Sequence, residues 1–136
     1  MPKQIFISLP VRDLEKAIPF YEKIGATRNP QFSDETAACM VFSDSIFVML
    51  LTHAKWATFT TKPIVDAHRA SEVAFNLSVD SRGDVDRTVD AARAGGGQVD
   101  VNPVQDLGFM YSRSCSDVDG HIWEFLHLDM SKMPKA

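Results

Sequence analysis

The sequence predicts an α+β protein built from two tandem copies of one small unit that close on a shared pocket. Leu77-Ser78-Val79 lies 68 positions after Leu9-Pro10-Val11, and 68 is half of the 136-residue chain. Each copy lies in a strand-like stretch that leads directly into a helix-like stretch. A unit of this size buries its own apolar face poorly, so the two copies are expected to close on each other. The space between such units is usually a pocket.

The first half has the pattern of a strand, a helix and two or three further strands. Alternating apolar residues predict a strand over 4–11. Asp13 suits the N-cap of a helix, and Gly25 suits its end. Apolar residues at helical spacing lie between them: Leu14, Ala17, Ile18 and Tyr21. Two strands are then predicted over 37–42 and 45–52.

The second half repeats this order. A strand is predicted over 72–79, and Asp80 or Ser81 caps the helix that follows. Gly95-Gly96-Gly97 ends that helix. The remaining predicted strands are a short one over 98–101 and two closing strands over 108–114 and 121–128. The chain is therefore expected to be one domain, 1–136, with a first module at 1–52 and a second at 71–130.

The two modules are joined by a long connection, 53–70. It contains Trp56, Phe59 and Pro63 and is not a flexible Gly/Ser linker. Long structured connections often serve as lids or pocket walls. An arm that packs over the other module or over a partner chain is an equally good interpretation.

Composition and charge exclude several classes of function. The net charge of −4 argues against nucleic acid as a partner, because phosphate binding needs a basic face. No apolar run approaches the roughly 18 residues that a membrane span needs. The start of the sequence lacks the apolar core of a signal peptide, and the two cysteines lack metal-type spacing. We therefore expect a cytoplasmic protein that binds neither nucleic acid nor membrane.

Several segments together resemble the vicinal oxygen chelate superfamily, which includes glyoxalase I, bleomycin-resistance proteins and extradiol dioxygenases. The resemblance covers nearly the whole chain and lies in these segments: Leu9-Pro10-Val11-Arg12-Asp13-Leu14, Phe20-Tyr21-Glu22, Ile24-Gly25, Leu77-Ser78-Val79-Asp80 and Asp117-Val118-Asp119-Gly120-His121-Ile122-Trp123-Glu124. A closer likeness, to its lactoylglutathione-lyase-like branch, lies in Met49-Leu50-Leu51-Thr52, Phe59-Thr60 and Gly108-Phe109-Met110-Tyr111. The resemblance implies paired βαβββ modules, curved mixed sheets around a central pocket, a small organic ligand and a homodimer.

The same resemblance implies four positions for metal ligands, of which this sequence fills one. Two of the positions carry Phe6 and Ala74, and a third falls on an apolar residue between Ile46 and Leu51. Only Glu124 is a carboxylate. A divalent ion needs three or four protein ligands, so bound Ni, Zn, Mn or Fe is poorly supported and no cofactor is expected.

Glu124 is the candidate catalytic residue, because alternation places it on one strand face with apolar neighbours. It is suited to act as a general acid or base, or to accept a hydrogen bond from a ligand. The alternatives are a core glutamate paired with arginine and a strand-edge glutamate in water. Candidate substrate-binding residues are Phe6, Ser8, Ala74 and Asn76 on the first strands, and Tyr111 and Arg113 on one face of the penultimate strand. For Arg113, a structural salt bridge is at least as good an interpretation.

Two functions follow from these observations. The first is a lyase- or isomerase-like enzyme acting on a small molecule, in which Glu124 moves a proton next to a carbonyl group. The second is a non-catalytic protein that binds or sequesters a small molecule, such as an antibiotic. The sequence does not identify the substrate.

Overall fold

The computed structural model describes residues 2–134, and its first half forms one mixed sheet. The sheet strands are β1 (Ile5–Val11), β2 (Thr27–Asn29), β3 (Ala37–Val41) and β4 (Ile46–Thr52), and helix α1 (Leu14–Lys23) follows β1. The strand order is β1-β4-β3-β2. Only β1 and β4 run parallel. Asp13 caps α1 as predicted, with its side chain accepting the Glu15 N–H.

The second half forms a second mixed sheet with the same plan. After the short helix α2 (His53–Trp56) the elements are β5 (Ala74–Ser78), α3 (Arg82–Ala94), β6 (Gln98–Val99), β7 (Gln105–Asp106), β8 (Met110–Ser116) and β9 (Ile122–Leu128). The order is β5-β9-β8-β6, with β7 also pairing with β8, and β5 and β9 run parallel. The predicted α+β fold of two tandem βαβββ modules is therefore confirmed, with one additional short strand in the second.

Each sheet has one face covered by its helix and one open face. In β1, Leu9 and Val11 are buried with the apolar side of α1, whereas Phe6 and Ser8 are exposed. Because side chains alternate along a strand, Phe6 and Ser8 lie together on the open face.

The two helix-covered faces share one core. Helices α1 and α3 touch, and Trp123 of β9 packs against aromatic rings of both modules. Its ring centroid lies 5.9 Å from that of Tyr21, 5.4 Å from that of Phe42 and 4.9 Å from that of Phe75. Such aromatic contacts stabilise the pair of modules as one unit.

Some predicted strand boundaries were wrong. The strand predicted over 108–114 runs over Met110–Ser116, because Gly108 adopts φ +82° in a turn closed by a 2.9 Å bond from Leu107 N to Met110 O. The strand predicted over 72–79 is shorter, Ala74–Ser78. Among residues 2–134, no helix has both the length and the apolar character needed to cross a bilayer.

Candidate functional site

The open face of the second sheet presents Glu124. Its register partners are Asn76 on β5 and Ser114 on β8, so the three side chains lie side by side on this face. Ser114 is buried, and its hydroxyl donates to Asn102 O, whereas Glu124 is half-buried and Asn76 is exposed. Among residues 2–134, Glu124 has no hydrogen-bond or ion-pair partner for its carboxylate. Its oxygens are therefore available to a ligand.

The open face of the first sheet is mainly apolar. Phe6 is 56% exposed, and its ring stacks on that of Phe47 with the centroids 4.6 Å apart. The next pair along the strands is Ser8 beside Met49. The two open faces therefore differ in chemistry, because the thioether of Met49 in the first sheet stands at the position that the carboxylate of Glu124 has in the second.

Tyr111 and Arg113 lie on the helix-covered face of β8, away from Glu124. Their register partners are His127 and Phe125, whereas Glu124 pairs with Ser114. The Tyr111 hydroxyl donates to Asp86 on α3 at 2.7 Å. The two residues do not join the group around Glu124, and we leave them out of the proposed site.

Arg113 is held by three carboxylates of the second module. Its guanidinium, 12% exposed, donates to Asp86, Asp90 and Asp100 at 2.9–3.1 Å. The hydrogen bond from Tyr111 and those from Arg113 hold the pKa of Asp86 below its usual value, and Arg113 does the same for Asp100. Arg113 therefore makes the salt bridges expected as the alternative to ligand binding, although not with Glu124.

A cavity of about 630 Å³ lies between the first strands of the two modules, and we call it the main cavity. The connection lines one side of it, from Trp56 to Ala70, and the next three residues, 71–73, continue this side. Most of its lining is apolar: Ile7, Leu9, Pro10, Trp56, Pro63, Ile64, Val65, Ala67, Ala70, Val73, Phe75 and Ile122. The polar lining residues are Ser8, Thr60, Lys62, Ser71, Glu72 and His121. A few polar groups in an apolar cavity of this size suit a small organic ligand.

His121 ties the two modules together at this cavity. Its Nε2 lies 2.9 Å from Pro10 O. A carbonyl oxygen only accepts hydrogen bonds, so Nε2 carries the proton and donates. In the neutral ring, Nδ1 is then an acceptor.

A second space of about 220 Å³ adjoins the main cavity, and we call it the small chamber. The two share Pro10, Ile64, Val65, Ala67 and His121 as lining residues. The other residues that line the small chamber are polar: Arg12, His53, Asp66 and Asp119. The two spaces are therefore adjacent, and one is mainly apolar whereas the other is mainly polar.

The family model described as "Glyoxalase/Bleomycin resistance protein/Dioxygenase superfamily" matches residues 3–125. The chain belongs to this superfamily. No curated protein matches the sequence. The match spans both modules, so the resemblance carried by the sequence motifs is confirmed at the level of the superfamily.

Solved structures share the fold at low sequence identity. Hypothetical protein SA1046 from S. aureus is 24% identical over 93% of this chain and 94% of its own, with a TM-score of 0.77. A glyoxalase-related enzyme from Fulvimarina pelagi is 20% identical over 93% of this chain and 88% of its own, with a TM-score of 0.75. The fosfomycin resistance protein FosX from Mesorhizobium loti is 16% identical over 97% of each chain, with a TM-score of 0.69.

The residues at the superfamily's metal-ligand positions do not fit a divalent cation. The register pairs Asn76 with Glu124 and Ser8 with Met49, so Met49 is the counterpart of Glu124 in the first module. With Phe6 and Ala74 at the other two positions, Glu124 is the only hard donor among the four. Within the described range 2–134, no three His, Cys, Asp or Glu side chains cluster closely enough to hold a metal.

The predicted site residues are thus divided among three places. Glu124, Ala74 and Asn76 lie on the open face of the second sheet, Phe6 and Ser8 lie on that of the first, and Tyr111 and Arg113 lie on the helix-covered face of the second. Only Ser8 lines the main cavity. The sequence prediction did not name His121 or any single residue of the connection as a site residue, although a pocket wall was one of its two interpretations of that segment.

Proposed function

We propose that this protein binds a small, largely apolar organic molecule in the main cavity without a metal ion. The observation that carries the proposal is the cavity itself. Its volume lies within the range of roughly 300–1,000 Å³ that is typical of ligand sites, and polar groups interrupt its apolar walls at only a few points. Binding of this kind fits either sequestration of the molecule or its conversion.

N-phenyl-1-naphthylamine, a neutral fluorescent probe, tests the proposed binding. We expect saturable binding at one site per chain. Ala70→Trp places a large ring in the main cavity, so it should weaken binding about tenfold or more. Ala74→Trp is the matched control, because Ala74 lies on the open face of the second sheet and does not line the cavity. Loss of binding in the control alone would move the site to the open face.

The unpartnered carboxylate of Glu124 supports a second candidate, a lyase- or isomerase-like activity at the open face of the second sheet. Glu124 would take a proton from the carbon next to a carbonyl group and return it to another atom of the substrate. A partner chain covering the open faces would exclude water from this reaction. A homodimer, which sedimentation velocity measures, and a cytoplasmic location remain predictions.

Proton abstraction is measurable without knowledge of the substrate. In deuterated water, NMR follows exchange at the carbon next to the carbonyl in a panel of small hydroxyketones. Glu124→Gln should slow any protein-dependent exchange about a hundredfold or more. Glu72→Gln, at the main cavity, should leave it within about twofold. Loss of exchange with EDTA, or stoichiometric Ni, Zn, Mn or Fe in the purified protein, would contradict the metal-free proposal.

A further inference from the structure

We propose that the ligand is amphipathic and that its polar end is a zwitterion of the α-amino-carboxylate type, held in the small chamber. The apolar remainder of the same molecule fills the main cavity. This inference rests on the proposed binding function and names the class of ligand for it. Its first support is that the two spaces are adjacent, since five residues line both of them: Pro10, Ile64, Val65, Ala67 and His121.

The small chamber contains fixed charges of both signs that do not neutralise each other. Arg12 supplies a guanidinium, and Asp66 and Asp119 supply carboxylates. Among the described residues 2–134, none of the three side chains forms an ion pair. A ligand that carried only an anion would meet two carboxylates, and one that carried only a cation would meet Arg12. A head group with both charges has a favourable partner for each.

Backbone hydrogen bonds hold the two carboxylates in place. Asp119 Oδ1 accepts the Arg12 N–H at 2.8 Å, and Asp66 Oδ1 accepts the His68 N–H at 3.0 Å. The Oδ2 atom of Asp119 is buried, and within the described residues it is the one buried side-chain oxygen or nitrogen without a hydrogen-bond partner. Leaving such an atom unpaired is unfavourable, because the negative charge of Asp119 is then incompletely compensated; an ammonium group in the adjoining chamber would compensate it.

His121 adds an acceptor where the two spaces meet. Its Nε2 is occupied by Pro10 O, which leaves Nδ1 to accept from a donor in the neutral ring. Two carboxylates and this nitrogen favour the ammonium group, and Arg12 favours the carboxylate by a planar, two-pronged contact.

Four probes with the same naphthalene body test the inference by calorimetry: 2-naphthylalanine, 2-(2-naphthyl)ethylamine, 3-(2-naphthyl)propionate and 2-(2-naphthyl)ethanol. We expect the zwitterion to bind about tenfold or more tightly than each of the others. Arg12→Gln should make the amine the preferred probe, and Asp119→Asn should reduce the preference for the zwitterion over the propionate. Asn keeps the Oδ1 acceptor for the Arg12 N–H. Arg28→Gln and Asp44→Asn remove the same charges outside both spaces and should leave the order unchanged.

The other outcomes of these binding measurements show whether the zwitterion inference alone fails or the proposed function fails as well. Equal binding of all four probes would overturn the zwitterion inference and leave the main cavity as a binding site. The same conclusion follows if N-phenyl-1-naphthylamine binds and none of the four does. If that neutral probe also fails to bind, the proposed function itself is wrong.

Discussion

Gly120→Ala is expected to destabilise the protein by about 3 kcal/mol or more and to weaken binding in the main cavity. Gly120 has φ +94°, a conformation that costs an L-residue about 1–2 kcal/mol. A Cβ at this position would also lie 2.5 Å from His68 N and 2.6 Å from Ala67 C. These are backbone atoms, so the contact is relieved only if the connection moves away. Since the connection lines the cavity, its displacement should open the site.

Gly25→Ala separates the penalty of a positive φ from the cost of the contact with backbone atoms. Gly25 has φ +110°, but a Cβ there would meet no atom within 4 Å. Its substitution should therefore cost only the conformational penalty, about 1–2 kcal/mol, and leave probe affinity unchanged. Urea unfolding measures both losses of stability. Equal losses in the two variants would show that the contact with residues 67 and 68 is unimportant.

Hydrogen exchange locates the effect of Gly120→Ala. The amides of His68, Arg69 and Ala70 are bonded to Asp66, through its side chain or its carbonyl oxygen. Exchange at these amides should accelerate in the variant more than exchange in β4 or β9, because opening of the connection is local. Uniform acceleration throughout the chain would instead indicate a general loss of stability.

The sheets could be predicted from the sequence because their signals are local. Alternation marked β1 and β9, and the N-cap Asp13 marked the start of α1. Short strands carry no comparable signal: the sequence allowed a third strand after α1 but did not locate β2, with three residues, and β7, with two residues, was missed. Their pairing depends on neighbours that are distant in sequence, such as β3 and β8.

Predicting the surroundings of Arg113 requires two long-range features of the fold, the register of β8 against β9 and the packing of α3 on the sheet. Alternation correctly grouped it with Tyr111, but the register of β8 against β9 decides that both point away from Glu124. The docking of α3 then supplies their partners. One signal was visible in advance, because Asp86 and Asp90 are four positions apart and lie on one face of the predicted helix. Such an acidic pair favours a structural role for a buried arginine.

The lining of the main cavity was the least predictable part of the site. The connection has no strand or helix period along most of its length, and its backbone at residues 67 and 68 packs closely against Gly120. The motif around Gly120 was recognised as part of a family pattern. That pattern does not show that the backbone of residues 67 and 68 packs in the space where any other residue at position 120 would have a side chain.

The second large effect is expected for Tyr21→Phe, at about 3 kcal/mol of stability. The Tyr21 hydroxyl of α1 donates to Asp117 Oδ2 at 2.6 Å and accepts the Trp123 indole N–H at 3.1 Å. Asp117 is 2% exposed and lies between β8 and β9, so this group joins the two modules. Removing the hydroxyl leaves a buried carboxylate oxygen and a buried N–H without partners.

Tyr111→Phe is the matched control. It removes the same kind of bond, from a tyrosine hydroxyl to an aspartate at 2.7 Å. The side chain of Asp86 is 49% exposed, so water can replace the lost donor. The expected loss is under about 1 kcal/mol. Urea unfolding of the two variants compares a buried with an exposed hydrogen bond from tyrosine to aspartate. Equal losses of unfolding free energy would contradict the stabilising role assigned to the buried bond between Tyr21 and Asp117.

The loss in Tyr21→Phe should also depend on pH. Burial raises the pKa of Asp117, while the Tyr21 hydrogen bond acts in the opposite direction. An acid with a raised folded-state pKa loses stability as the pH rises from its unfolded value, about 3.9, through the folded value. Without the hydroxyl, that folded value is higher still, so the variant loses more stability over this interval than the parent. The difference in unfolding free energy should therefore be larger at pH 7 than at pH 4.5, and a difference that shrinks with rising pH would show that Asp117 is not the group left unpaired.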